Sequence, residues 1–366
     1  MLPEFLEPQF VRMPDFGPGR WLNTPTPLTK GKLRGRVVLL DFWDYSCLNC
    51  LKTLPYIRNW FERYREKGLT VIGVHSPEFS FAKGQNQVEA ATEQLAIRYP
   101  VLLDNDFQTW DRYANHAWPT KYLIDHQGYI RYMRRGEGYY LEAEKAIQVL
   151  LKLRDPAVAL PDPLPPLREE DAPGAVCYRP TPELHAGYRG GGLFGGALGN
   201  PEGFISGSVM AYTMPEEEER EAGQFYLSGF WIAEPESVSF AGQDGGKVVV
   251  PYRAAGVNAV LAPSSDPVEL MLDLLPEDME PVVEIRQDGQ PLDPTRAGAD
   301  IMIDEQGTST VRVTRPRMYE LVKNVGYERH EMELTFRANG LALYSFTFST
   351  CLATGHRAGG ETTVTR

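Results

Sequence analysis

The run Val37-Val38-Leu39-Leu40-Asp41-Phe42 is short and almost continuously apolar, the pattern of a strand covered on both faces. Beyond it, Leu51, Leu54, Ile57, Phe61 and Tyr64 recur every three to four positions, which predicts a helix with one apolar face. Pro55 lies inside that pattern and should kink it, and Lys67-Gly68 ends it with a cation and a permissive glycine. Residues 70–74 read as a second buried strand, 86–97 as a helix with Val88, Ala91 and Leu95 on one side, 101–103 as a strand and 106–115 as a short helix. Segments 121–124 and 130–134 form a hairpin across Asp125-His126-Gln127-Gly128, and 141–153 is a closing amphipathic helix. This order predicts an α/β unit with a mixed central sheet. The proline-rich residues 1–30 read as an extended arm.

After residue 154 the pattern changes. Leu160-Pro161-Asp162-Pro163-Leu164-Pro165-Pro166 and Glu169-Glu170-Asp171 mark a semi-rigid linker over 155–174. Helical periodicity then nearly disappears. Short β-runs at 225–227, 238–240, 247–250, 257–261, 283–285, 310–313, 331–336 and 341–348 are separated by Gly, Pro, Asn and Asp turns, which predicts an all-β sandwich or jelly roll over 175–366. Residues 187–203 read as a glycine-rich mobile loop and 216–221 as a solvated acidic hairpin tip. The expected organisation is therefore 1–154, 155–174 and 175–366.

The 366 residues carry a formal charge of -12. That balance argues against nucleic acid or an anionic membrane as the main partner. No apolar run reaches the roughly 18 residues of a membrane-spanning helix. Met1-Leu2-Pro3-Glu4-Phe5-Leu6 lacks the features of an export signal, so a cytoplasmic location is expected, or an extracytoplasmic one if the chain is trimmed from a longer precursor.

Of the four cysteines, Cys47 and Cys50 follow a buried strand and open a helix. A thiolate at a helix N-terminus meets unpaired N–H groups and the positive end of the dipole. Cys47 is therefore expected to have a lowered pKa and to attack a disulfide, with Cys50 resolving the mixed disulfide. Half of a zinc site is the competing reading. It lacks partners, because Cys177 and Cys351 stand alone and the histidines show no zinc spacing. Neither a metal nor a cofactor is expected.

Asp41-Phe42-Trp43, Cys47-Leu48-Asn49-Cys50 and Pro55 together resemble the thioredoxin signature, and Trp118-Pro119-Thr120 sits where that family carries its cis-proline. The resemblance implies catalytic roles for Cys47, Cys50, Asp41 and Pro119. Asp41 would be the buried acid that takes the proton of the resolving thiol. The insert Val74-His75-Ser76-Pro77-Glu78-Phe79 resembles that of TlpA-type oxidoreductases, and Asp41-Phe42-Trp43, Ser46-Cys47, Cys50, Ile72-Gly73-Val74-His75-Ser76-Pro77-Glu78 and Tyr122-Leu123-Ile124-Asp125 resemble, more narrowly, the C-terminal portion of DipZ proteins. Arg317-Met318-Tyr319-Glu320-Leu321-Val322 and Tyr344-Ser345-Phe346-Thr347-Phe348 extend that resemblance into the second half. It implies a thioredoxin-like domain followed by a carbohydrate-binding-module-like, galactose-binding-like jelly roll. DipZ proteins carry a membrane-embedded electron-transfer domain that this sequence lacks, so a separate electron donor or acceptor is expected.

Trp43, Tyr45, Asn49, Trp118, His75 and Glu78 are the candidates for a substrate groove, with Trp110 and His116 on its rim. Cys177 and Cys351 flank the β-region and are a candidate structural disulfide or two free buried thiols. The leading function is exchange of disulfides with protein thiols, in the reducing direction if the location is cytosolic. A thiol peroxidase is the second reading; it would need a Thr-x-x-Cys setting with a partnering arginine, and Asp44-Tyr45-Ser46-Cys47 does not supply that threonine. The third is a β-domain that binds carbohydrate or protein, with Tyr188, Phe194, Tyr226, Trp231, Tyr252 and Tyr319 as available aromatics.

Overall fold

The computed structural model describes residues 3–179, 181–189, 197–263 and 281–352. The chain divides into two units, Met1–Leu167 and Arg168–Arg366.

In the first unit, β1 (Trp21–Leu22), β2 (Val37–Trp43), β3 (Leu69–His75), β4 (Val101–Leu103), β5 (Thr120–Ile124) and β6 (Ile130–Arg135) form one sheet in the order β1-β4-β3-β2-β5-β6. β2 and β4 run parallel to β3, while β5 and β6 form an antiparallel hairpin beside β2. Helices α1 (Lys30–Leu33), α2 (Leu48–Tyr64), α3 (Gln85–Gln94), α4 (Gln108–Arg112) and α5 (Tyr140–Arg154) complete the unit. Alternation along β2 divides its side chains between two apolar layers. Val37, Leu39 and Trp43 pack with residues of α2 and α5, including Leu54, Trp60 and Ile147. Val38, Leu40 and Phe42 pack with Trp110, Tyr113 and Leu33.

Helix α2 runs through Pro55 without a break. A short 3-10 turn follows it, and the chain leaves through Gly68 at φ +106°, a left-handed conformation that favours glycine.

The N-terminal segment is more than an arm. Leu6 and Met13 are buried, Glu7 N–H donates to Arg131 O at 2.7 Å, and β1 adds an edge strand to β4. Short strands set by pairing leave no periodicity to read. The segment expected as a linker is also tied down over its first part. Val158, Leu160 and Leu164 pack on the α2–α5 layer, Leu164 N–H donates to Glu144 at 2.8 Å, and Leu167 N–H donates to the Tyr56 hydroxyl at 2.7 Å.

The second unit contains β7 (Val176–Cys177), β8 (Leu184–His185), β9 (Val209–Tyr212), β10 (Tyr226–Ala233), β11 (Val238–Phe240), β12 (Gly246–Ala262), β13 (Val282–Gln287), β14 (Gln290–Pro291), β15 (Ile301–Ile303), β16 (Ser309–Arg312), β17 (Arg317–Phe336), β18 (Ala342–Ser349) and β19 (Cys351–Leu352). Most belong to one antiparallel sheet in which β12 and β17 are the long central strands. The runs expected as separate strands at 247–250 and 257–261 are one strand, and the run expected at 331–336 is the end of a strand that begins at Arg317. Pro251 does not interrupt β12, because β10 pairs with it only as far as Val249 and β18 only from Gly256. The missing N–H thus falls where a second neighbour is absent. The acidic residues Glu217–Glu219 form an exposed turn between the paired strands β9 and β10. Residues 190–196 of the expected glycine-rich loop, Phe194 among them, lie outside the described residues.

Cys177 and Cys351 are register partners in the β7–β19 ladder and are joined by a disulfide. This closes the two ends of the second unit. Replacing both cysteines by serine is expected to cost roughly 2–5 kcal/mol. Differential scanning calorimetry should show this as a lower melting temperature, and thiol counting should show Cys47 and Cys50 reacting as before.

Candidate active site

The backbone turns directly from β2 into α2, and Cys47 caps that helix. Cys47 Sγ accepts a hydrogen bond from Cys50 N–H at 3.2 Å. Both thiols are free, Cys47 half-buried and Cys50 buried. The outer sulfur can therefore meet a partner while the inner one cannot. Burial pushes the Cys47 thiol well above its ordinary value, with Cys50 and Glu78 acting the same way and the Cys50 N–H acting against them. The lowered pKa expected from the helix terminus is corrected accordingly: in the closed dithiol, desolvation outweighs the donated N–H. Burial also raises Cys50. The Cys47 thiol and the Asp44 backbone oppose that rise, whereas the Asp41 and Asp44 carboxylates add to it.

Asp41 is buried on β2. Burial lifts its carboxyl from 3.8 to about 7, against the pull of Lys121. Lys121 is its cross-strand partner on β5, is itself fully buried, and donates to Gly136 O at 3.0 Å. Sequence reasoning did not single out Lys121. Its relation to Asp41 exists only through the β2–β5 register, and one lysine in an apolar strand is the signal that could have raised it.

Beside the dithiol, His75 stacks on Tyr45 at 5.6 Å and meets Trp43 edge-on at 5.3 Å. His75 Nε2 lies 3.4 Å from the Asp44 carboxylate. Burial lowers the pKa of His75, and Asp44 opposes this. Asp44, also missed from sequence, accepts from Ser46 N–H at 2.6 Å and from Glu78 N–H at 3.1 Å. It fixes the loop before Cys47 against the loop after β3. Asn49 is exposed on the first turn of α2. The Trp118–Pro119 bond is cis, and the Trp118 indole N–H donates to Ser76 O at 2.9 Å, which ties the start of β5 to the same loop. His116 is exposed, but Trp110 is a core residue packed on Phe42 and Trp118 and so does not form a rim.

The two halves of the chain match different family descriptions. Residues 12–133 match the AhpC/TSA family, and residues 181–349 match the description "Thioredoxin like C-terminal domain". The first unit has a thioredoxin-like fold. The chain is 37% identical over 249 residues to the protein DipZ of Mycobacterium bovis, a match covering 66% of this chain and 33% of DipZ. This chain thus spans about a third of the length of that relative. The thioredoxin-like domain is also 26% identical over 141 residues to the thiol-disulfide oxidoreductase YkuV of Bacillus subtilis, covering 38% of this chain and 93% of YkuV. A solved thiol-disulfide isomerase from Corynebacterium glutamicum is 22% identical, with a TM-score of 0.34, over 38% of this chain and 96% of that one.

Four of the aromatics considered for carbohydrate binding are interior residues. Tyr226, Trp231, Tyr252 and Tyr319 are all buried, and Trp231 packs edge-on against Phe336 at 5.0 Å. Tyr188 is at the surface, 36% exposed. The interior of the second unit takes up these four rings. Among the described residues, no helix is long and apolar enough to cross a membrane.

Proposed function

We propose that this protein is a thiol–disulfide oxidoreductase that exchanges disulfides with protein thiols through Cys47 and Cys50. The observation that carries the reading is the stacking of three groups by depth: a half-buried thiol at a helix N-terminus, a buried thiol one turn inward, and a buried carboxyl with raised proton affinity acting on the inner thiol. The YkuV relationship supports it.

In the reducing direction, the Cys47 thiolate attacks a substrate disulfide. One Cys47–substrate S–S bond forms, and the other substrate sulfur leaves as a thiolate. Cys50 then gives its proton to the Asp41 carboxylate and attacks Cys47 Sγ, which releases the second substrate thiolate and leaves a Cys47–Cys50 disulfide. Lys121 stabilises the Asp41 carboxylate and keeps it available as a base despite burial. Pro119 and Trp118 line the place where a substrate backbone would lie, with Trp43, Tyr45, His75, Glu78 and Asn49 around the dithiol. The charge that acts on Cys47 from outside the dithiol is the Glu78 carboxylate, the opposite sign to the arginine of a peroxidatic site.

We propose the reducing direction with a cytosolic location and a separate electron donor. A Cys177–Cys351 cross-link is better kept in oxidising surroundings, which would favour the reverse flow. Titration against glutathione redox buffers, followed by alkylation and mass, reads the direction. A reversible two-electron transition near thioredoxin's potential of about -270 mV marks a reductant, and one above about -180 mV an oxidant or isomerase. No transition at any poise would overturn the redox reading.

A further inference from the structure

His75 closes β3 beside its register partner Trp43, the last residue of β2. Its side chain is fully buried, so a substrate cannot reach it. The imidazole lies between two rings, stacked on Tyr45 with 15° between the planes and edge-on to Trp43. Neither ring nitrogen makes a full hydrogen bond among the described residues, but Nε2 lies 3.4 Å from Asp44 Oδ2. That separation is a few tenths of an ångström beyond a settled hydrogen bond, so the contact is mainly electrostatic. Burying an imidazole in this way is costly, and a phenylalanine would fill the same slot without that cost. What a phenylalanine lacks is a donor for Asp44, the carboxylate that acts on this imidazole.

The turn that carries the dithiol is built on Asp44. Its buried carboxylate accepts from Ser46 N–H at 2.6 Å and from the Ser46 hydroxyl through Oδ1, and from Glu78 N–H at 3.1 Å through Oδ2. Its carbonyl accepts from Cys47 N–H at 3.4 Å. Burial is the largest influence on the Cys50 thiol and raises it. The two ends of Asp44 then act in opposite senses, the backbone lowering the thiol and the carboxylate raising it. The balance between those two effects depends on where the Asp44 side chain is held and on what offsets its charge.

We infer that His75 is a positioning residue for the resolving thiol: its Nε2–H, fixed by the Trp43 and Tyr45 rings, holds the Asp44 carboxylate in the dithiol turn and offsets its charge toward Cys50. The inference rests on the proposed redox function and deepens it, because resolution of the mixed disulfide is the step that Cys50 performs. Burial lowers the pKa of His75, against Asp44 and its own backbone, so it serves as a neutral donor at pH 7. Besides Asp44, Cys47 and Asp41 act on Cys50. Cys50 in turn acts on Lys121 from β5 and on Tyr99 from the segment entering β4. Glu78 acts on Cys47. All of these groups stay in place when His75 alone is changed.

The test is a ¹³Cβ NMR titration of the cysteines in the full-length chain with Cys47 and Cys50 reduced. His75→Phe keeps a ring in the slot and loses both nitrogens, whereas His75→Gln keeps an N–H donor and loses the ring. His75→Phe should raise the Cys50 midpoint by about one pH unit, equivalent to a tenfold change, and His75→Gln should restore most of it. In an Asp44→Ala background, which has no carboxylate to hold, adding His75→Phe should leave the midpoint where it is. The wild type supplies an arm that needs no variant to fold: imidazole ¹⁵N shifts should report the Nε2–H tautomer at pH 7. A Cys50 midpoint that His75→Phe does not move, or moves equally without the Asp44 carboxylate, overturns the inference. The Nδ1–H tautomer in the wild type would overturn it too. A midpoint shift that depends on Asp44, in a protein that exchanges no disulfides, would uphold the His75–Asp44 linkage and reject the redox function.

Discussion

Cys47→Ser is expected to abolish disulfide exchange, lowering the rate at least about a thousandfold, while Cys50→Ser should stop the reaction halfway. The difference follows from depth. Cys47 is half-buried at the end of α2 and Cys50 is buried beneath it, so an external disulfide can reach the first sulfur and not the second. With serine at position 50, the first exchange proceeds but the Cys47–substrate bond cannot be resolved internally. A mixed disulfide should accumulate on a non-reducing gel, disappear on addition of dithiothreitol, and be absent when position 47 is serine. If Cys47→Ser exchanged at the wild-type rate, or if Cys50→Ser rather than Cys47→Ser blocked adduct formation, the assignment of attacking and resolving thiols would be wrong.

Asp41→Asn should stabilise the protein in a pH-dependent way while slowing it as a catalyst. The carboxyl titrates near 3.8 when exposed and at about 7 in the fold. Between those values the folded chain holds a proton that the unfolded chain has lost, so stability falls as pH rises through that window. The full shift corresponds to about 4 kcal/mol, part of which the asparagine variant forfeits by leaving Lys121 without its partner. Melting temperatures should therefore nearly coincide at pH 4 and diverge in favour of Asp41→Asn by pH 8. Exchange should drop about a hundredfold at pH 7, and the deficit should narrow at higher pH as Cys50 ionises unaided. A stability difference that is the same at every pH would mean that Asp41 is not the titrating group.

Much of this site could be read from local sequence. Cys47 and Cys50 stand between a buried run and an amphipathic one, and that boundary sets the helix terminus without tertiary information. Pro119 could be placed by the motif around it. The groups that tune the dithiol could not. Lys121 meets Asp41 only because β2 and β5 pair in one register. Asp44 acts across a loop that no periodicity links to it. The β-region shows the same limit. Turn-like residues such as Pro251 and Gly256 divided β12 in sequence, yet the strand passes through both because its neighbours change there. The interior positions of Trp231 and Tyr252 likewise depend on which face of a strand turns inward, which an aromatic count does not reveal.

The Cys177–Cys351 ladder gives the two units different histories during synthesis. β2, α2 and β3 are contiguous, so most of the first sheet can assemble from neighbouring stretches as they emerge from the ribosome. The second unit begins at β7 and is closed by β19, 174 residues later. Its first strand must therefore wait, unpaired, until the last has been made. The thioredoxin-like domain can be complete by then, with the Cys47 and Cys50 thiols on the same chain as two cysteines that have yet to find each other.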